Sequence, residues 1–219
     1  MSWAPLWLSL EVAVVATILT GLVGIGLGWL LARPTTPGRD LFDAILAAPM
    51  VLPPTVLGYY VLVALGRHSF LGHLWERAFG ETIVFTLTGA VIAAAIGSLP
   101  LVVKSARTAF EAVDPTLVAA ARTLGASPTR ALFTVALPLA APGLLSGLML
   151  GFARALGDFG VTLMVAGDIP GETQTASMAI YDALQANREG DAAAMSIVIT
   201  VGAVAILYLV NRLQRRPHA

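Results

Sequence analysis

The chain has 219 residues, 57% of them hydrophobic and 12% charged, and its 13 basic and 13 acidic side chains cancel to a formal net charge of zero. A soluble domain carries about 25% charged residues. A share this low, with a mean hydropathy of +0.82, excludes an ordinary soluble enzyme and points to an integral membrane protein. No cysteine is present, so disulfides and thiolate metal sites are excluded as well.

Crossing roughly 30 Å of hydrocarbon takes about 20 apolar residues. Five segments meet that length: 9–31, 44–65, 82–103, 139–161 and 192–210. The expected fold is therefore all-α, a polytopic membrane bundle of about five transmembrane helices forming one domain over 8–211, with a basic tail at 212–219. The N-terminal MSWAPLWLSLEV has neither a basic n-region nor a small-residue cleavage site, so the first span is expected to stay as an anchor. That span contains GLVGIGLG, with Gly21, Gly24 and Gly28 at helical spacing. No strand precedes these glycines, so close helix packing through small residues explains them better than phosphate binding.

The second span carries Pro49, Pro53 and Pro54 within APMVLPPTVLGYY. Consecutive prolines remove two backbone donors and disfavour helix in the residue before them, so the span should break there. Within a bilayer, such a break survives only where protein or a water-filled cavity covers the freed carbonyls. A helix restarted at Pro54 would turn its first N–H groups and the Thr55 hydroxyl into the bundle, a geometry that favours anions without a formal charge. The same break also reads as a kink that only shapes packing. The run LPPTVLGYY, Leu52 to Tyr60, resembles the second span of molybdate permeases.

The third span ends near Gly97, Ser98 and Pro100, and Lys104-Ser105 follows. Lys-Ser closes a nucleotide-binding loop only when glycine precedes it, and here Val103 does. The chain is thus expected to bind no ATP. Ser98 joins Thr55 as a candidate lining of a translocation path.

Next comes a polar stretch, DPTLVAAARTLGASPTRALFTVALPLAAPG. Asp114-Pro115 reads as an N-cap with proline at the first helical position. The helix should stop at Gly125, suited to a left-handed cap, and Ser127-Pro128 repeats the start signal. Ala120, Ala121, Gly125, Val135, Leu137 and Pro138 stand at the spacing of the cytoplasmic loop of ABC-importer permeases, which this segment (about 108–138) resembles. The resemblance implies that Ala119, Ala120, Ala121, Arg122, Gly125 and Pro138 couple the permease to an ATPase subunit. The glutamate typical of that loop is Ala119 here, so the contact cannot rest on a carboxylate.

The fourth span reads PGLLSGLMLGFARALGDFGVTLMVAG. Arg154 and Asp158, four apart on one helix face, are close enough to pair, and an unpaired charge in a span costs about 2.5–3.5 kcal/mol. They are read as a gate or path element, or as a pair that fixes packing. Ser146 lacks a histidine partner, since His68 and His73 lie in an outer loop and His218 in the tail. Beyond Pro170-Gly171, residues 177–187 are expected to form an amphipathic outer helix turning Met178, Tyr181 and Leu184 to the bundle. The stretch 150–181 resembles molybdate permeases closely, with Asp158 where they carry glutamate.

With the N-terminus outside and the C-terminus cytoplasmic, Arg33, Arg39, Lys104, Arg107, Arg122, Arg130, Arg212, Arg215 and Arg216 face the cytoplasm, and Arg67, Arg77 and Arg188 face out. Arg154 lies within the fourth span. The tail is suited to anionic lipid, and nothing in the chain suggests nucleic-acid binding. The resemblance implies a permease that is not itself an enzyme, in the cytoplasmic membrane of a prokaryote. It further implies a homodimer, two cytoplasmic ATPase subunits holding ATP and magnesium, and an extracytoplasmic molybdate-binding protein. Alternating access would carry molybdate inward; tungstate, or sulfate and thiosulfate, are the neighbouring cargoes. An ion-coupled secondary anion transporter is the competing class, expected to need paired broken helices rather than an elbow. No metal site and no cofactor of the chain's own are expected.

Overall fold

The computed structural model describes residues 3–33 and 37–214. Of the expected basic tail, Arg215, Arg216 and His218 lie outside the described residues. All regular structure among the described residues is helical. Three long helices make the frame: α1 (Ala4–Ala32), α5 (Leu87–Glu111) and α8 (Leu137–Leu156). Between α1 and α5 lie α2 (Arg39–Val51), α3 (Pro54–Leu65) and α4 (Phe70–Phe79). Between α5 and α8 come α6 (Pro115–Thr123), α7 (Pro128–Ala131) and a π-helical turn, Leu132–Ala136. After α8 follow α9 (Gly160–Ala166), α10 (Ala176–Gln185) and α11 (Glu189–Gln214). Four continuous stretches are long and apolar enough to cross a membrane, and α2 with α3 makes a fifth, bent by 113°.

The glycines of α1 do what their spacing suggests. A Cβ on Gly28 would stand 2.5 Å from Ala106 Cβ and 2.8 Å from the Arg107 nitrogen, so only glycine lets α1 and α5 approach so closely. Val12, Ala13 and Ala16 of α1 meet Ala90, Val91 and Ala94 of α5 and Ala155 of α8 in one cluster. Small residues give intimate contact where lipid offers no hydrophobic drive to bring helices together.

The third and fourth spans are bounded differently from expectation. The third span begins at Leu87, because Thr86 caps it by accepting the Gly89 N–H at 3.2 Å while Phe85 holds a left-handed φ of 62°. It continues through Pro100 to Glu111, so Lys104 and Arg107 are helical. There Arg107 bonds Glu111 at 3.0 Å and Asp43 at 3.3 Å, and Arg39 pairs with Glu111, which ties the start of α2 to the end of α5. The fourth span stops at Leu156 rather than continuing to 161, and the chain breaks before α9.

The molecule thus has two ends. One gathers the end of α1, the start of α2, the end of α5 and the α6–α7 elbow; the other holds the start of α1, α9 and α10. At the latter, Ser9 accepts the Ala176 N–H at 2.7 Å. Helix α10 buries Ala176, Met178, Ala179 and Ala183. Met178 faces inward as expected, but Tyr181 and Leu184 are 48% and 53% exposed. The alanines permit a closer approach than the bulky face would, and Tyr181 turns instead to Phe159, ring centroids 5.3 Å apart.

Candidate functional site

The elbow is fixed by local chemistry. Asp114 accepts the Thr116 N–H and hydroxyl, each at 2.8 Å, and these bonds hold its carboxyl below the ordinary carboxylate range. Pro115 follows at the first helical position, where a missing N–H costs nothing. At the other end Gly125 N–H bonds Arg122 O at 3.0 Å and Ala126 N–H bonds Ala121 O at 3.0 Å. That pair is the Schellman arrangement, and it places Gly125 at φ 89° with open space where a Cβ would stand. Ser127 then accepts the Arg130 N–H at 3.2 Å and starts α7.

The two faces of α6 differ. Val118, Ala119 and Arg122 turn inward, lining a pocket with Trp29, Arg33 and Phe110. Leu117, Ala120, Ala121 and Leu124 turn the other way, Leu117 48% and Leu124 89% exposed. The structure therefore separates the expected coupling residues: Ala120 and Ala121 lie on the outer face, Ala119 and Arg122 on the inner one. Pro138 is exposed in the first turn of α8, beyond the π-helical turn. Sequence reasoning missed Leu117 and Leu124, although two leucines seven apart in a polar loop mark a helical stripe.

A second constellation forms at the opposite end. The chain breaks after Val51, as the double proline requires, and again at Gly157–Phe159, which was not foreseen. The restarted helices pack on each other. A Cβ on Gly160 would stand 2.7 Å from Pro54 Cβ, and one on Gly58 2.7 Å from Met164 Cβ. Asp158, expected on the continuous fourth helix, lies instead in the break, 3% exposed. Its Oδ1 accepts from Arg154 Nη1 at 2.8 Å, and its Oδ2 accepts the Thr162 N–H at 2.9 Å and hydroxyl at 2.6 Å. The Asp158 carbonyl accepts the Ser177 hydroxyl at 2.8 Å. One carboxylate thus neutralises Arg154, caps α9, and sits beside the loop leading to α10.

The Arg154 side chain remains 33% exposed. Its other guanidinium N–H groups have no partner among the described residues and remain able to donate to an acceptor, while Asp158 offsets part of the guanidinium's own positive charge. Thr55 is exposed in the first turn of α3, its hydroxyl likewise without a partner among the described residues. Ser98 departs from expectation: it is fully buried and donates to Ala94 O at 2.8 Å, so its hydroxyl serves its own helix. The Ser146 hydroxyl does the same, donating to Pro142 O at 2.9 Å.

Residues 24–218 match the family described as binding-protein-dependent transport system inner membrane component. The chain is 44% identical over 209 residues to the molybdenum transport system permease protein ModB of Escherichia coli K12, covering 95% of this chain and 91% of that one. It is 33% identical over 229 residues to the sulfate transport system permease protein CysT of the same organism, covering 99% and 82%. Its fold is similar to a solved inward-facing MetNI methionine ABC transporter chain, with a TM-score of 0.73 at 19% identity and 98% of each chain covered. The chain belongs to the family of binding-protein-dependent transport system inner membrane components: it is a multi-pass membrane permease subunit, not an enzyme.

Proposed function

We propose that this chain is the permease of an ATP-driven importer of molybdate across the cytoplasmic membrane, working by alternating access. One observation carries the reading: α6 is capped rigidly at both ends, yet its Leu117–Leu124 face is left uncovered. A short apolar ridge on a stiff elbow suits a groove on a soluble motor, here two cytoplasmic ATPase subunits that hold ATP and magnesium. Arg33 and Arg122 line one pocket and Arg39 and Arg107 pair with Glu111 at the elbow end; by alternation of the spans Lys104, Arg130 and Arg212 fall on that side too, and Arg67, Arg77 and Arg188 on the other. That asymmetry supports a cytoplasmic elbow and an outward N-terminus.

Molybdate is favoured over sulfate by the identities, 44% to the molybdenum permease and 33% to the sulfate permease; sulfate is the second cargo, and tungstate shares the chemistry of the first. An extracytoplasmic molybdate-binding protein delivers the anion to the end that carries α4 and α10. A second copy of the chain completes the path on a two-fold axis. The faces it would cover include Leu41 and Ile45 of α2 and Tyr59 and Tyr60 of α3, each more than half exposed. Thr55 and the Arg154–Asp158 pair then hold the passing anion weakly, as release requires.

The absence of cysteine makes the contact directly testable. Leu124→Cys should cross-link to a cysteine in the ATPase groove, with a yield that changes on ATP binding. No cross-link in an assembled, transporting complex would reject the elbow as the coupling element.

A further inference from the structure

The inner face of the elbow opens on a groove that transport does not explain. Its apolar limb, about 500 Å³, runs along α1 from Thr17 through Ile18, Leu22 and Ile25 to Trp29, with Phe110 and Leu132 on its far wall. Its second limb, about 520 Å³, shares Trp29, Phe110 and Leu132 and ends between Arg33 and Arg122. The two limbs adjoin at Trp29, Phe110 and Leu132, which line both, so the groove is greasy along the bundle and cationic at the elbow. From Thr17 to Trp29 the helix rises about 18 Å, close to the roughly 15 Å depth of one leaflet. Trp29 stands where the apolar limb meets the charged one, and the Arg33 guanidinium stacks over its ring at 3.5 Å.

Neither Arg33 nor Arg122 has a carboxylate partner among the described residues. Position 119, which also lines this pocket, is alanine, so α6 brings no negative charge into it. An occupant must supply an acyl chain to one limb and an anion to the other. We infer that the groove is a binding site for an anionic phospholipid, its phosphate held by Arg33 and Arg122 and one acyl chain laid along α1. The inference rests on the cytoplasmic placement of the elbow, since the anionic lipids it would draw on belong to that leaflet. A lipid seated there touches Val118, Ala119 and Arg122, so it would brace the inner face of α6 while the outer face docks.

The test is lipid retention by the assembled transporter, measured by native mass spectrometry after exchange into mixed micelles of phosphatidylglycerol and phosphatidylcholine, without ATP or molybdate. The parent complex should retain phosphatidylglycerol in preference to phosphatidylcholine. Arg33→Gln with Arg122→Gln should lower that preference about thirtyfold, on the scale of two basic residues near an anionic surface. Gly26→Phe fills the apolar limb from a position with no neighbour within 4 Å of a Cβ, and should release both lipids. Equal retention by the parent and both variants overturns the inference. Loss of phosphatidylglycerol in the arginine variant but not in Gly26→Phe would mean that the headgroup is held while the acyl chain does not lie along α1, and also overturns it. A change of subunit stoichiometry in Gly26→Phe with lipid unaffected would assign the groove to a second copy of the chain. A complex that transports molybdate but retains no lipid refutes this inference alone and leaves the transport reading standing.

Discussion

Replacing Arg154 by alanine tests whether the second helix break is held by charge. The Asp158 carboxylate is 3% exposed and has three donors: Arg154, the Thr162 N–H and the Thr162 hydroxyl. Arg154→Ala leaves the carboxylate buried with two of them and no counter-charge. Removing one partner of a buried pair costs about 3–5 kcal/mol; because the Arg154 side chain is 33% exposed, the low end applies, about 3 kcal/mol. Asp158→Ala should cost less, about 1–2 kcal/mol, since the freed guanidinium can reach solvent while α9 loses its cap. The double alanine variant should be less destabilised than the two singles summed, by about 1 kcal/mol or more. Exchanging the two charges should recover little, because an arginine at 158 cannot accept the Thr162 N–H. Thermal unfolding in detergent, read by tryptophan fluorescence across the parent and these four variants, measures each value. An Arg154→Ala protein within about 0.5 kcal/mol of the parent would refute the argument and leave the pair a surface contact worth little.

Gly125→Val puts a β-branched side chain at φ 89°, at a cost of about 1–2 kcal/mol. The Schellman bonds should fail and uptake should be lost while the protein still inserts and folds; unchanged uptake would mean that the elbow does not transmit motion. In the outer loop, burial first and the neighbouring Asp182 carboxylate second raise the Asp168 carboxyl above its ordinary value. A raised value means that the protonated form is favoured on folding. This stabilisation is complete below the ordinary carboxylate value, about 3.9, and is lost as pH rises through the folded one. Asp168→Asn should therefore gain thermal stability over the parent as pH rises from about 4 to 7 and show little difference at the acid end. A difference that does not change with pH would contradict this.

The most legible parts of the chain were those decided by adjacent residues. Asp114-Pro115, Gly125 and Ser127-Pro128 each specify a cap through their own side chain or backbone, and all three appear where their chemistry puts them. The Pro53-Pro54 break was equally local, because a missing donor is missing in any environment. The second break was not legible, since Arg154 and Asp158 at a spacing of four also describe a continuous helix. What decides for a break is tertiary: Gly160 rests against Pro54, and Asp158 caps the restarted helix. Paired broken helices were the feature expected of a secondary transporter, and they occur here together with an elbow, so they do not separate the two classes. The inward face of α10 was misread for a related reason, because a pattern of bulky residues marks an apolar face but not whether small neighbours allow closer approach. The π-helical turn before α8 had no local signature beyond Pro138, whose ring would strike the Thr134 carbonyl in a regular helix.

The most direct test is uptake of labelled molybdate into proteoliposomes holding this chain, its ATPase and its binding protein, with ATP enclosed on the ATPase side. The account predicts uptake that requires ATP and the ATPase, is blocked by tungstate and is spared by sulfate. Block by sulfate would move the cargo to the sulfate group. Uptake that persists without the ATPase would contradict the account and return the chain to the gradient-driven class.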